Sequence, residues 1–399
     1  MKKIFSLTLC CVMLISILAA CGSKGGETQK PTTGETTAES VESSTEAKES
    51  QGDGEGGKAL KIAIVSSPSG VDDGSFNQNN YNGILAFIED HPDSSVTPVK
   101  EETGDVAAAL LAVADITADY DVIVCCGFQF AGIGTLAKDN PNVNFILVDS
   151  YPTDEEGNET SLDNIYAMQF AEQESGFLAG VAAALETQTN KVAVVNGIAY
   201  PSNVNYQYGF ESGVYYANKN YDTDAEIIEI ASYAGTDVTG ANVGGNYIGN
   251  FADEATGKVV GNALITEGCD VLLVAAGGSG NGVFTAAKEA GDVKVIGCDV
   301  DQYDDGVNGD ANIILTSVLK IMDMNVEKQL NAIADGTFKG ENALLMADTD
   351  STGYVKAEGR QQLSEDTITK LDEVLNLIKD GTIIPAANFN DILPESFLE

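Results

Sequence analysis

From Leu60 onward, short apolar runs alternate with stretches of helical periodicity, and this alternation constrains the fold more than any other feature. The runs "KIAIV", "YDVIVCCG", "NVNFILVD", "KVAVVNG", "AEIIEIAS", "CDVLLVAAGG" and "VKVIGCD" are rich in β-branched residues and apolar on both faces. Parallel strands buried between two layers have that composition. Between them, "TGDVAAALLAVADITA", "ESGFLAGVAAALET" and "NGVFTAAKEAG" carry helical spacing. The repeated strand–helix order predicts an α/β protein with doubly wound parallel sheets. About 340 residues in this pattern exceed what one core normally accommodates, so two domains are expected. A break is expected near Asn164–Glu172, where "NIYAMQFAEQES" leaves the first set of strands.

The start of the chain has a different character. Lys2 and Lys3 precede an apolar run from Ile4 to Leu18, followed by Ala19, Ala20 and Cys21. This order matches a bacterial secretion signal, and the run is shorter than the roughly 20 residues a membrane-spanning helix needs. "LAAC" matches a lipoprotein cleavage site, which makes Cys21 the acylated first residue of the mature chain. Several acyl chains on one cysteine anchor firmly, whereas a single chain binds membranes only marginally. Residues 22–58 are Ser, Thr, Gly and Glu with little apolar content, which predicts a flexible stalk. The expected organisation is a signal at 1–20 and the acylated cysteine with its stalk at 21–58. One lobe is expected at 59–167 plus about 302–330, and the other at 168–301 plus about 331–399. The expected location is extracytoplasmic, tethered to the cell membrane by lipid.

Charge narrows the partners. With 21 basic and 61 acidic residues the formal net charge is −40, and such a field repels nucleic acid, nucleotides and polyphosphates. The only arginine, Arg360, lies near the C-terminus, so no guanidinium fork is expected to seize a carboxylate or phosphate in the site. An uncharged or cationic small molecule fits better. The single histidine, His91, sits in a polar "EDHPD" turn, and the cysteines show no C-x-x-C spacing. No metal site and no cofactor are expected. Cys125, Cys126, Cys269 and Cys298 end apolar runs and read as buried thiols.

In doubly wound sheets ligands lie beyond the carboxyl ends of the strands. The segments there include "SSPSGVDDGSFNQ", "GFQF", "DSYP", "NGIAYPSNVNYQYGF", "GGSGNG" and "CDVDQ", dominated by glycine, amides, aromatics and acids. That mixture suits a neutral polar ligand with a flat face. In the first of them, Ser75 followed by Gln78 has capping-box spacing, and Phe76 and Asn77 open the helix facing the crevice.

Several blocks in order, among them "DDGSFNQ", "GFQFAGIGTLAKDNPNVNFILVD", "GGNYIGNFADEATGK", "AAGGSGNGVFTAAKEAG", "VIGCDVDQY" and "LTSVLK", resemble the basic membrane protein family from about Lys61 to Leu393. These are PnrA-like substrate-binding lipoproteins of ABC importers for nucleosides. The resemblance implies a type I periplasmic-binding-protein fold, two α/β lobes joined by a hinge, closing on a purine nucleoside. It implies no catalysis, a permease as partner, and a monomer.

Carried over by matched motif, Phe76 and Asn77 form the helix-start pair, with Asp73 or its neighbour Asp72 as the nearby acid. Asp149 contacts the base. Phe251 is the second stacking ring, with Tyr206 as the other candidate, and Phe128 is a further candidate ligand contact. Gly277 allows close backbone approach, Asp299 holds the ribose hydroxyls, and Lys320 supplies the lysine. Aromatic plates also stack sugars, so a sugar- or autoinducer-binding receptor of the same fold is the alternative. So is a ligand-binding sensory or adhesive lipoprotein without a transporter.

An enzyme fits less well. "GGSGNG" fails the dinucleotide spacing because Val283 stands where the third glycine belongs. No nucleophile elbow, P-loop or His-based triad occurs. The acidic "DVDQYDD" leaves a secreted nucleoside hydrolase as the catalytic alternative.

Overall fold

The computed structural model describes residues 57–398. The leader, Cys21 and nearly all of the stalk lie outside the described residues. Two six-stranded sheets organise the rest.

The first sheet comprises β1 (Lys61–Ser66), β2 (Ser95–Lys100), β3 (Val122–Cys126), β4 (Asn144–Val148), β5 (Ile165–Phe170) and β15 (Glu341–Leu345). Their order is β15-β5-β4-β3-β1-β2, all parallel. The second comprises β6 (Lys191–Asn196), β7 (Glu226–Ile227), β10 (Val271–Ala275), β11 (Lys294–Gly297), β14 (Ile314–Lys320) and β16 (Thr352–Tyr354). Its order is β16-β14-β11-β10-β6-β7, parallel except for the edge strand β16. Two small hairpins, β8 (Gly235–Thr236) with β9 (Asn242–Gly244) and β12 (Val307–Asn308) with β13 (Ala311–Asn312), lie apart from the sheets.

Helices cover both faces of each sheet, which is why the central strands are apolar throughout. In the first lobe, α1 (Phe76–Asp90) and α8 (Met322–Ala334) pack on one face, with Ile84, Phe87, Met322 and Leu330 in the core. On the other face, α2 (Val106–Ile116) and α3 (Gly134–Asp139) contribute Val113 and Ala137. In the second lobe, α4 (Glu172–Glu186), α5 (Pro201–Asn220) and α9 (Glu365–Lys379) cover one face. The other is covered by α6 (Glu254–Thr266) and α7 (Gly280–Ala290). Cys125, Cys126, Cys269 and Cys298 are buried and free. No described helix is long and apolar enough to cross a membrane.

The sheets divide the chain differently from the expected boundaries. β14, inside the segment expected in the first lobe, pairs with β11 in the second sheet; β15, expected in the second lobe, pairs with β5 in the first. The returning segment is therefore Met322–Leu345, carrying α8 and β15. "LTSVLK" is apolar enough for either core, so composition alone leaves its partner open. The run "AEIIEIAS" forms only the two-residue β7. Beyond Ile227 the Asn246 side chain intervenes, donating to Ile228 O and Val194 O and accepting from Ile230 N.

The chain passes between lobes at Phe170–Glu172, Lys320–Met322 and Leu345–Ala347. The first turn of α4 ties these crossings together. Ser175 Oγ donates to Leu319 O at 2.8 Å, and Glu174 accepts from Ala347 N at 2.7 Å and Thr352 Oγ1 at 2.6 Å. Glycines bring α5 unusually close to α4. A Cβ at Gly180 would sit 2.1 Å from Phe210 O, and one at Gly213 would sit 2.1 Å from Phe177 O. Only glycine permits that backbone approach, and it sets the depth at which Tyr206 of α5 meets the cleft.

Candidate functional site

The carboxyl ends of both sheets face one cleft, the place where doubly wound sheets hold ligands. Its walls come from the turn before α1, the ends of β3, β4, β10 and β14, the start of α5, and the segment leading into α6.

The turn before α1 is built around Asp73. Its carboxylate accepts from Ser75 N, Asn77 N, Gln78 N and, at 2.7 Å, Asn77 Nδ2. Burial raises its pKa and these hydrogen bonds lower it; burial wins. Asp73 therefore caps the helix and fixes Asn77, with its oxygens committed within the chain. The expected Ser75–Gln78 capping box does not form: Gln78 Oε1 accepts from Gly74 N, and Ser75 makes no side-chain cap. Ser75 Oγ instead donates across the cleft to Asp299 Oδ2 at 3.1 Å. Asp72 is exposed and does not line the cleft, whereas Asp73 is buried and does.

Asp149 follows β4 with φ 65°, and Asp299 follows β11 with φ 69°. A non-glycine residue in the left-handed region costs about 1–3 kcal/mol, a strain that clusters at functional sites. Lys320, the last residue of β14, is 2 % exposed, and its ammonium lies 2.5 Å from Asp149 and 3.1 Å from Glu172. Burial pushes the Asp149 carboxyl up to about 7 against the pull of Lys320, and Glu172 and Asp299 push the same way. Burial alone would lower Lys320, yet Asp149 and Glu172 hold it above its ordinary value. Both shifts have one geometric cause: a single buried ammonium is shared by the carboxylates of Asp149 and Glu172. Glu172 went unnoticed in the sequence, where an acid at a helix start has the sufficient reason of the helix dipole.

Across the cleft, Asp299 Oδ1 accepts from Tyr206 Oη at 3.1 Å. Tyr206 is 3 % exposed and packed in the core beneath α5, so it orients Asp299 and is no free stacking plate. The loop beyond Asp299 is held from both sides. Gln302 donates to Gly74 O in the other lobe and accepts from Cys298 N. Arg360 pairs with Asp301 at 2.7 Å and Asp304 at 2.8 Å.

Three rings line one wall: Phe128 of the first lobe lies 5.2 Å from Tyr200, which lies 6.0 Å from Phe251 of the second. Phe251 sits against Gly197, where a Cβ would fall 2.2 Å from the ring, and Ser69 Oγ donates to Phe251 O at 3.2 Å. Phe76 lies beside the lysine, its ring centroid 5.1 Å from Lys320 Nζ. Gly277 lines the cleft with φ 51°, a backbone glycine adopts freely. The cleft thus gathers Asp73, Phe76, Asn77, Phe128, Asp149, Tyr206, Phe251, Gly277, Asp299 and Lys320; Tyr200 joins them unanticipated. No group of three or more metal-ligating side chains occurs among the described residues.

A sequence profile of the family described as "ABC transporter substrate-binding protein PnrA-like" matches residues 60–388. The chain belongs to this family. It is 32% identical over 302 residues to the "ABC transporter nucleoside-binding protein BmpA" of Lactococcus lactis, covering 70% of this chain and 77% of that one. It is 29% identical over 401 residues to the "CD4+ T-cell-stimulating antigen" of Listeria innocua, covering 96% and 98%. Among solved structures it is similar to an ABC transporter solute-binding protein of Aeropyrum pernix, with TM-score 0.68, 22% identity and coverage of 83% and 94%. A solute-binding protein of Conexibacter woesei matches with TM-score 0.59 and 20% identity, covering 82% and 99%. The type I periplasmic-binding-like fold follows. As a PnrA-like substrate-binding protein, the chain is a receptor and not an enzyme. It takes a ligand and works with permease subunits on the extracytoplasmic side.

Proposed function

We propose that the cleft captures a purine nucleoside and that the closed, loaded form is what the permease recognises. One observation carries this reading. Asn77 Oδ1 is buried in the cleft wall without a hydrogen-bond partner, beside the Asp149 carboxylate that Lys320 holds at 2.5 Å, while aromatic rings line the same cleft. An unpaired buried acceptor is costly, and a flat ligand whose edge carries an N–H donor satisfies it. In this arrangement the base stacks between Phe76 and Phe251, contributing about 1–3 kcal/mol. Its edge meets Asp149 and Asn77, its ribose hydroxyls meet Asp299, and Gly277 lets the ligand approach the backbone. The name of the Lactococcus lactis relative, a nucleoside-binding protein, supports the same reading.

Binding energy would favour the closed lobes over the open ones. Acylation at Cys21 would tether a monomeric receptor to the membrane through the stalk. Isothermal titration against inosine, guanosine, adenosine, free bases and ribose tests the ligand class. Saturable binding of nucleosides supports it, and Asp299→Ala should weaken nucleosides far more than free bases. Equal weakening of both would refute the ribose role, and binding of sugars alone would refute the ligand class.

A further inference from the structure

Where the lobes meet beside the cleft, two prepared surfaces face each other. On the first lobe, the turn before α1 is fixed from within. Asp73 accepts from three backbone amides and from Asn77 Nδ2, and Gly74 N donates to Gln78 Oε1 at 2.9 Å. Gly74 takes φ 71°, a backbone that glycine adopts freely. On the second lobe, Gln302 is 6 % exposed and held twice: its backbone N–H donates to Ser317 Oγ at 3.1 Å, and its Oε1 accepts from Cys298 N at 2.9 Å. A Cβ at Gly297 would lie 3.0 Å from Gln302 Oε1, so the side chain has little room to turn. Two hydrogen bonds then cross from lobe to lobe. Gln302 Nε2 donates to Gly74 O at 3.3 Å, and Ser75 Oγ donates to Asp299 Oδ2 at 3.1 Å. Asp299 gives its other oxygen to Tyr206. Gly74, Ser75 and Gln302 do not line the cleft, whereas Asp299 does. A third crossing, Ser69 Oγ to Phe251 O, joins two residues that do line it.

We propose that Gln302 and Ser75 are positioning residues that latch the closed lobes without touching the ligand, and so set how tightly the receptor holds what the cleft selects. The inference rests on the closing cleft of the reading above, and not on which flat ligand fills it. Both partners of the Gln302 bond are already ordered within their own lobes, so docking them freezes little further motion. The latch therefore favours the closed state before any ligand arrives. Apparent affinity scales with the fraction of protein in the binding-competent state, here the closed one. Through Ser75 the latch ends on the carboxylate proposed to hold the ribose. An ionised carboxylate offers about four lone-pair sites. Tyr206 and Ser75 take one on each oxygen, which leaves one on each for the two ribose hydroxyls. Ligand and latch then share Asp299 instead of displacing one another.

The test uses the full chain at about pH 8, with Gln302→Glu as the main variant. The introduced carboxylate keeps an acceptor for Cys298 N and replaces the donor to Gly74 O by a second acceptor, which turns the crossing bond into a repulsion. The closing equilibrium should fall about tenfold. Two measurements read it together: small-angle scattering of the ligand-free protein, and calorimetric affinity for inosine and for hypoxanthine. Where the ligand-free wild type is mostly closed, the loss appears as a larger radius of gyration in the variant. Where it is mostly open, the loss appears as weaker binding of inosine and hypoxanthine by one common factor, approaching about tenfold. Saturating inosine should bring both proteins to the same radius. Should Gln302→Glu fail to fold, Ser75→Ala carries the same test, with an expected fall of about fivefold. A purely structural role would lower the denaturation midpoint and leave the radius and affinity of the folded protein unchanged, which overturns the proposal. A loss confined to inosine, with hypoxanthine spared, overturns it as well, because the effect would then lie in Asp299 and not in closure. If no nucleoside binds the wild type, the nucleoside reading falls; the latch is then judged by scattering alone, and equal radii overturn it.

Discussion

Replacing Lys320 with Met removes the one cation from a buried cluster while keeping most of the side-chain volume. Lys320 is 2 % exposed and touches Asp149 and Glu172, whose side chains are 7 % and 3 % exposed. Breaking a buried pair by deleting one partner typically costs about 3–5 kcal/mol, because the charge left behind is uncompensated. The variant can limit that cost in two ways. Opening the lobes rehydrates Asp149, which lies in the first lobe, but leaves Glu172 beside its own helix in the second. Protonating a carboxylate costs about 1.4 kcal/mol for each pH unit above its ordinary pKa near 4. At pH 8 both routes are expensive, and a loss of about 3–5 kcal/mol is expected. At pH 5 protonation is cheap and the loss should shrink to about 1–2 kcal/mol. Chemical denaturation of wild type and Lys320→Met at both pH values measures the difference. Scattering should also show the ligand-free variant more open. A loss below about 1 kcal/mol at pH 8, or an equal loss at both pH values, would refute the claim that the lysine neutralises this cluster.

Other expectations concern the supports of the site. Gly180→Ala forces a methyl into the backbone of α5, where the Cβ would lie 2.1 Å from Phe210 O; overpacking of this kind costs about 1–3 kcal/mol, readable by calorimetry. Tyr206→Phe removes a donor from Asp299 and should weaken nucleosides by about 1 kcal/mol, roughly fivefold, with little change in stability; unchanged affinity would deny Tyr206 its orienting role. Phe251→Ala should cost about 1–3 kcal/mol of nucleoside affinity if its ring stacks the base; a loss of stability with affinity intact would make it a wall residue.

The repeating strand–helix order was legible because strands buried on both faces must be apolar throughout, and helices covering both faces must alternate with them. The candidate site was legible for a related reason: strand ends in such sheets converge, so "NFILVD" and "VIGCDVDQ" announce acids at the crevice through their position. What composition could not reveal is pairing between distant segments. β14 and β15 are each compatible with either sheet, and their assignment depends on their ladder partners, β11 for β14 and, more than a hundred residues earlier in sequence, β5 for β15. The same limit hid the contacts of Ser75, Glu172 and Tyr200. Each has an adequate local reason to stand where it does, as a helix start or a loop aromatic, and its role across the cleft exists only once the lobes meet. Asp73, which lines the cleft, also accepts four hydrogen bonds from the helix start, a structural task that its place in the sequence suggested as well.

The most direct measurement is a crystal structure of the protein grown with inosine. The account predicts the base between Phe76 and Phe251 with its N1 edge on Asp149, and both ribose hydroxyls on Asp299. Inosine absent from the cleft, or seated with its ribose on Asp149 and its base on Asp299, would contradict it.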